Sequence, residues 1–307
     1  MSKAKSFWVR TGAAISATFL AGSATLSALP ASAGALTEGT VLPIHAVVSV
    51  GPHSSIMVNR GPITGNVLLG DGNTSSSSAG GNGQVTGQVH VSPPASGDFL
   101  ANIQIAPTII TVPSSVGMQA FSDADALSSA ASALAPTQNF PTIGGGQTIT
   151  GNGATNVIDV ANINGAFSVS GTANDVFVFN VSGAFNSNQA MTLTGGVTAS
   201  HILFNLTGKS GDIFQTFGGD VLFGTFLATD GGDFRFSNLD LTEQLINTDA
   251  HDQFVSGSKI SAAPFTVPAP LIGHGLLVLL SVGSVLFGGG LLERWKNRRS
   301  LGMPAAA

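Results

Sequence analysis

Between residues 34 and 266 the apolar residues come in short alternating runs, each closed by Gly, Ser, Thr or Asn. That pattern predicts many short strands joined by tight turns. The runs also repeat. Thr or Ser followed by Gly ends them at Ser170-Gly171, Ser182-Gly183, Thr194-Gly195 and Thr207-Gly208, spaced 12, 12 and 13 apart. Every second run agrees more closely: Phe179-Asn180-Val181-Ser182-Gly183 matches Phe204-Asn205-Leu206-Thr207-Gly208 at an offset of 25, and Thr64-Gly65-Asn66-Val67 matches Thr86-Gly87-Gln88-Val89 at 22. Periods of this length with turn residues at fixed places are those of stacked β-coils. The expectation is a mainly β chain, an irregular β-helix; the rival is a β-sandwich, whose strands need not repeat residue by residue. One segment follows the helical period instead. Ser122-Asp123-Ala124-Asp125 reads as a capping-box-like start, and Ala124, Leu127, Ala131 and Leu134 mark one face before Pro136, which predicts a helix of three to four turns over about 122–135. Asp71 to Gly83, with four consecutive serines, reads as a solvated loop.

The two ends follow other rules. Lys3, Lys5 and Arg10 precede an uncharged run and the triplet Ala31-Ser32-Ala33, the order of a secretory signal cleaved between Ala33 and Gly34, so residues 1–33 are expected to be removed. Leu271 to Leu292 carries no charge. At about 1.5 Å per residue a helix of that length crosses a hydrocarbon core of roughly 30 Å. Arg294, Lys296, Arg298 and Arg299 follow, with Trp295 among them, and would hold that end in the cytoplasm. The chain thus divides into a signal (1–33), an ectodomain (34–266), a membrane segment with its flanks (267–299) and a tail (300–307). Just before the span, Val267-Pro268-Ala269-Pro270, the apolar helix and the basic end together resemble the PEP-CTERM class of sorting signals. That resemblance implies processing by an exosortase-like enzyme; here Ala269 stands where the class has Glu, and Ser300 to Ala307 extends past the basic cluster.

Composition narrows the function. The ectodomain holds four basic and fifteen acidic residues, a formal charge of −11 that the whole-chain value of −5 conceals. Charge-driven binding to nucleic acid is excluded at that sign. There is no cysteine, so no disulfide framework accompanies export. There is no tyrosine either, and Trp8 and Trp295 lie in the ends, which leaves Phe as the ectodomain's aromatic and weighs against a sugar-stacking module.

Several stretches in order resemble the choice-of-anchor A family of bacterial surface proteins: Ile63 to Val67, the helix Asp123 to Ala135, Thr148 to Gly153 leading to Asn156 to Val160, Asn174 to Gly183, and Gly196 to Asn205. The resemblance covers most of residues 42–260. It implies a relative of the ice-binding-like β-solenoids, with one helix beside an irregular right-handed β-helix, an adhesive or matrix role, and no catalytic residues.

The residues themselves show little chemistry. His45, His53, His90, His201, His251 and His274 are scattered, with no i, i+4 pair, and His201 falls in an apolar run read as a strand. Asp212, Asp220, Asp230 and Asp233 lie among glycines without a calcium-loop order and read as solvated turns. No phosphate loop is present, and no cofactor or metal is expected. The leading expectation is a non-catalytic exported surface or matrix protein, an adhesin whose partners are the membrane, the sorting enzyme and an extracellular polysaccharide or surface ligand. The alternative is ice binding through Thr148-x-Thr150, Ser168-x-Ser170 and Thr192-x-Thr194. A β-helical polysaccharide-active enzyme ranks last. The candidate threonines are not expected to recur at one position on successive coils, so ice activity is not expected. Intact-mass measurement of the surface fraction tests the reading of the ends: the expected species begins near Gly34 and lacks Trp295, whereas one ending at Ala307 would mean a plain membrane anchor.

Overall fold

A computed structural model of the chain describes residues 36, 38–51, 55–58, 62–70, 84–93, 104–105, 108–208, 211–248, 251–255, 257–262 and 265–266. The signal-cleavage residues Ala31, Ala33 and Gly34, the motif Val267, Pro268 and Pro270, the span Leu271–Leu292, the cluster Arg294, Lys296, Arg298 and Arg299, and the serine loop at 75–78 lie outside the described residues. Among the described residues no helix is long and apolar enough to cross a membrane.

The strands pair in parallel and wind as a solenoid with three faces. The first face stacks Thr155–Asn164, Val176–Val181, Ile202–Leu206, Thr225–Ala228, Leu245–Thr248, His45–Val50, Asn66–Leu69, Gln88–Val91 and Thr108–Thr111 in that order. Thr155–Asn164 is long enough to turn the corner, and its far end begins the second face, which continues through Phe185–Ser187, Asp212–Thr216, Asp233–Ser237, His251–Val255 and Ser55–Val58. The third face holds two sheets. One stacks Gln147–Thr150, Phe167–Ser170 and Met191–Thr194; the other stacks Val221–Phe223, Asp240–Thr242, Lys259–Ser261, Pro62–Thr64, Gln84–Val85 and Gln104–Ile105.

The order of coils is not the order of the chain. His45–Val50 pairs with Leu245–Thr248, Val47 opposite Leu245, so the N-terminal coils stack on the last C-terminal one. The predicted echoes are coil repeats: Phe179 and Asn180 lie opposite Phe204 and Asn205, and Val67 lies opposite Val89.

Burial follows from what covers each face. The central first-face strands are covered on both sides, and His45–Val50, Ile202–Leu206 and Leu245–Thr248 are buried at every position. Their inward side chains fill the solenoid. Phe179, Phe204 and Phe226, in register on successive coils, stack at 4.7 and 4.5 Å between ring centroids. Phe214 extends the stack from the second face at 4.3 Å from Phe226. Their outward side chains, among them Val178, Leu203, Leu227, Ile246 and Val48, meet the helix.

That helix, α1, spans Ser114–Ser132 rather than 122–135. Of the predicted face, Ala124, Leu127 and Ala131 are buried within the helix and Leu134, past its end, is half-buried; Ala120 extends the face one turn earlier. The predicted start is wrong. Ser122 and Asp123 sit mid-helix, and Asp123 instead accepts hydrogen bonds from the Gln119 amide at 2.6 Å and the Thr40 backbone N–H at 3.3 Å. Pro113 at the N-cap has no side chain that can accept, and the Ser92 hydroxyl, from another coil, takes the Gly117 N–H instead at 3.3 Å. Docking is completed by a polar anchor. Asn205, fully buried, accepts from the Ser128 hydroxyl at 2.7 Å and donates to Ser132 Oγ at 2.9 Å and Asn180 Oδ1 at 3.0 Å.

Two substitutions separate these contributions. Phe204→Ala is expected to lower global stability by about 3–5 kcal/mol in denaturant unfolding. Asn205→Ala is expected to cost about 1–3 kcal/mol and to raise amide exchange along α1 first; unchanged helix protection would show that Asn205 does not hold it.

Candidate functional site

The helix packs on the first face and leaves the third open, and the strands of the third face alternate. Ile149, Val169, Leu222, Leu241, Ile260, Ile63 and Val85 point inward and are buried. The flanking positions point out in two ranks. On the three-stranded sheet Thr148 lies opposite Ser168 and Ser168 opposite Thr192, while Thr150 lies opposite Ser170 and Ser170 opposite Thr194. All six are exposed or half-buried. Sheet geometry sets them about 4.8 Å apart between strands and roughly 6.7 Å apart along each strand.

This corrects the expectation that the threonines would not recur. Thr or Ser does recur, at the same two positions on three successive coils. The sequence concealed it because coil lengths differ: Thr150 to Ser170 is 20 residues and Ser170 to Thr194 is 24. The second rank also continues where no threonine pair was noticed. On the six-stranded sheet Phe223, Thr242, Ser261 and Thr64 are in register, and Thr86 follows, its N–H donating to the Ile63 carbonyl at 3.0 Å. Phe223 interrupts the hydroxyls of that sheet at its first strand. The available signal was the Thr/Ser-Gly recurrence, since Thr64, Thr86, Thr150, Ser170 and Thr194 each precede the glycine of one corner. The first rank changes character there, to Val221, Asp240, Lys259, Pro62, Gln84 and Gln104.

The other sequence candidates are dispersed. Asp212 pairs with Arg235 at 2.6 Å. Asp220 is buried and accepts from the Ser187 hydroxyl at 2.8 Å and from the N–H groups of Phe217 and Gly218, an internal staple rather than a solvated turn. Asp230 is exposed, and Asp233 lies opposite Asp212. His201 ends a 3-10 turn, Ala199–His201, instead of lying within a strand. Two histidines distant in sequence do meet: His45 Nε2 lies 2.8 Å from His90 Nδ1, and His45 Nδ1 donates to the Val41 carbonyl at 2.8 Å. Beside the end of α1, Asn139, Phe140, Asp159, Asn180, Ser182 and Thr207 line an open groove of about 530 Å³. Among the described residues no three His, Cys, Asp or Glu side chains gather as a metal site.

Solved structures resemble this chain in overall fold. An ice-binding protein from Arctic yeast superposes with a TM-score of 0.54 at 15% identity over 76% of this chain and 96% of its own. The fold is that of the ice-binding β-solenoids. An ice-binding protein domain from Shewanella frigidimarina matches at a TM-score of 0.52 and 15% identity, over 74% of this chain and 97% of that one. The ice-binding protein of the Antarctic ascomycete Antarctomyces psychrotrophicus matches at 0.50 and 16%, over 74% and 98%. No protein-family model and no curated protein sequence matches the chain.

The histidine pair has a pH consequence. Burial holds the His45 imidazole at about 4, against a weaker upward pull from the Val41 carbonyl, and burial also lowers His90. The unfolded chain takes up a proton near pH 6.5 that the folded chain refuses until about pH 4, so this stability is complete above 6.5 and lost as pH falls through that window. The Tm gap between wild type and His45→Gln is expected to be widest at neutral pH and to close towards pH 4; a constant gap would show that the imidazole does not titrate there.

Proposed function

We propose that this is a non-catalytic, exported ice-binding β-solenoid whose third face meets the ice. The observation that carries the reading is the double rank Thr148, Ser168, Thr192 and Thr150, Ser170, Thr194, held in register by parallel pairing. Each threonine offers a hydroxyl that can take a place in an ordered water network and a methyl that leaves its neighbouring water uncommitted. The face is rigid before it binds, so little conformational entropy is lost on contact, and many individually weak contacts add up. The solved neighbours are ice-binding proteins, and that of the Arctic yeast is described for its antifreeze activity. Placement outside the cell follows from the sequence of the ends: the signal delivers the ectodomain, the apolar span holds it, and a cut near Val267 to Pro270 would free it.

Adhesion to an extracellular polysaccharide is the second reading. It is favoured by the groove beside α1, where two asparagine amides, a carboxylate and two hydroxyls surround the half-buried ring of Phe140.

The deciding measurement is thermal hysteresis and ice shaping by the purified full chain. Activity is expected in the wild type, is expected to be lost when Thr192 and Thr194 are both replaced by Tyr, and should persist in Thr142→Tyr, exposed on a strand of the large sheet. A wild-type chain that neither shapes ice nor depresses freezing would sink the proposal.

A further inference from the structure

At the corner where the third face turns into the first, the residue after each outward hydroxyl is usually glycine. Gly224 and Gly65 adopt φ of 120° and 125° there, a conformation that a side chain makes costly. Glu243 occupies the same corner position, following Thr242, with φ 119°. A glutamate in a glycine conformation is strained, and strain that persists points to a role for the side chain.

The surroundings of Glu243 supply that role. Its Oε2 is buried without a hydrogen-bond partner, and so are three more oxygens: Glu38 Oε2, on whose carboxyl the Glu243 charge bears, Thr225 Oγ1, which faces Glu38, and Gln244 Oε1 on the next residue. Thr225 and Gln244 are fully buried, and Glu38 and Glu243 are 4% exposed. Parallel pairing sets Thr225 beside Gln244, because the Phe226 N–H donates to the Gln244 carbonyl at 2.9 Å. The Gln244 amide orientation is fixed by donation from Nε2 to the carbonyls of Leu42 and His45 at 2.9 and 2.8 Å, which leaves Oε1 facing the other way. Glu38 is held by the Phe265 N–H at 2.9 Å; the Thr225 hydroxyl faces it without closing a hydrogen bond, and the Glu243 charge bears on it.

Two buried carboxylates side by side need a counter-charge. Among the described residues the chain does not provide one: Arg235 is engaged with Asp212, and Lys259 is exposed. We propose that Glu38, Thr225, Glu243 and Gln244 are the protein ligands of a hard divalent cation of the calcium class. All four donors are oxygens, as that class requires, the two carboxylates balance its charge, and water completes the six to eight ligands calcium takes. Magnesium, which needs a tighter octahedron and gives up its waters reluctantly, fits this set less well. The cation would bridge the segment before the Leu42–Ile44 turn to two successive C-terminal coils, beside the seam where His45–Val50 meets Leu245–Thr248.

Thermal unfolding of the full chain in EGTA and in calcium chloride, with isothermal titration of calcium alone, tests this. Calcium at about a hundred times its Kd is expected to raise Tm by roughly 5–10 °C. Glu243→Gly fits the backbone angle, so it should fold, melt in EGTA no lower than wild type, and lose the calcium increment. Glu38→Gln should also lose it, and Asp230→Asn should keep it. No heat of binding in the wild type, or an increment that survives both Glu243→Gly and Glu38→Gln, would overturn the proposal. In that case a higher Tm in EGTA for both variants would identify the two carboxyls as a protonated, neutral pair.

Discussion

Parallel, in-register pairing of successive coils is the constraint on which the rest depends. Once Phe179 is opposite Phe204 and Phe204 opposite Phe226, like stands on like, and every property of one position is repeated along the stack. Inward, the repetition produces a column of rings at stacking distance. Toward the helix it produces an aliphatic surface with one polar notch at Asn205. Outward on the third face it turns an ordinary strand pattern of Thr and Ser into two rows of hydroxyls. A slip of one residue would turn all of these sides over at once, which is why the buried columns fix the register so firmly.

Much of this was legible in the sequence wherever a coil repeats without a change of length. The 25-residue echo between Phe179 and Phe204 and the 22-residue echo between Val67 and Val89 are direct coil-to-coil pairs. The alanine-rich face of α1 was legible for the same reason, since its spacing is local. What depends on distant partners was not. Asp123 looks like a cap because acids favour helix starts, yet its partner Thr40 lies 83 residues away, and the true start relies on Ser92. The hydroxyl ranks were obscured by loops of unequal length between strands of equal register. The corner at Glu243 gave only a negative signal, a missing glycine, whose meaning needs the φ angle and the oxygens around it.

Polar groups inside the solenoid fall into two kinds. Asp175 is fully provided for: although burial works to raise its pKa, N–H groups of Thr172 and Gly153, the Thr172 hydroxyl and the Asn156 amide hold it at about 2. It fastens a loop between two coils, and its charge is satisfied by donors of the chain itself. Glu38 and Glu243 are buried to a similar degree but have almost no donors, with Phe265 N–H supplying one. The contrast lies in the donors as well as in how strongly burial acts, and it divides carboxylates that finish the fold from those that await something the chain does not carry.

The seam between Leu245–Thr248 and His45–Val50 also governs how such a chain can be built. A protein emerges from the ribosome N-terminus first. The strands His45–Val50, Asn66–Leu69 and Gln88–Val91 are therefore made early, but the edge on which they stack is completed only about two hundred residues later. Until then the outer edge of His45–Val50 presents open backbone to any other strand. Each group of coils can pair within itself as it appears, but the two can join only at the end, and the long interval makes the youngest part of the molecule the template for the oldest.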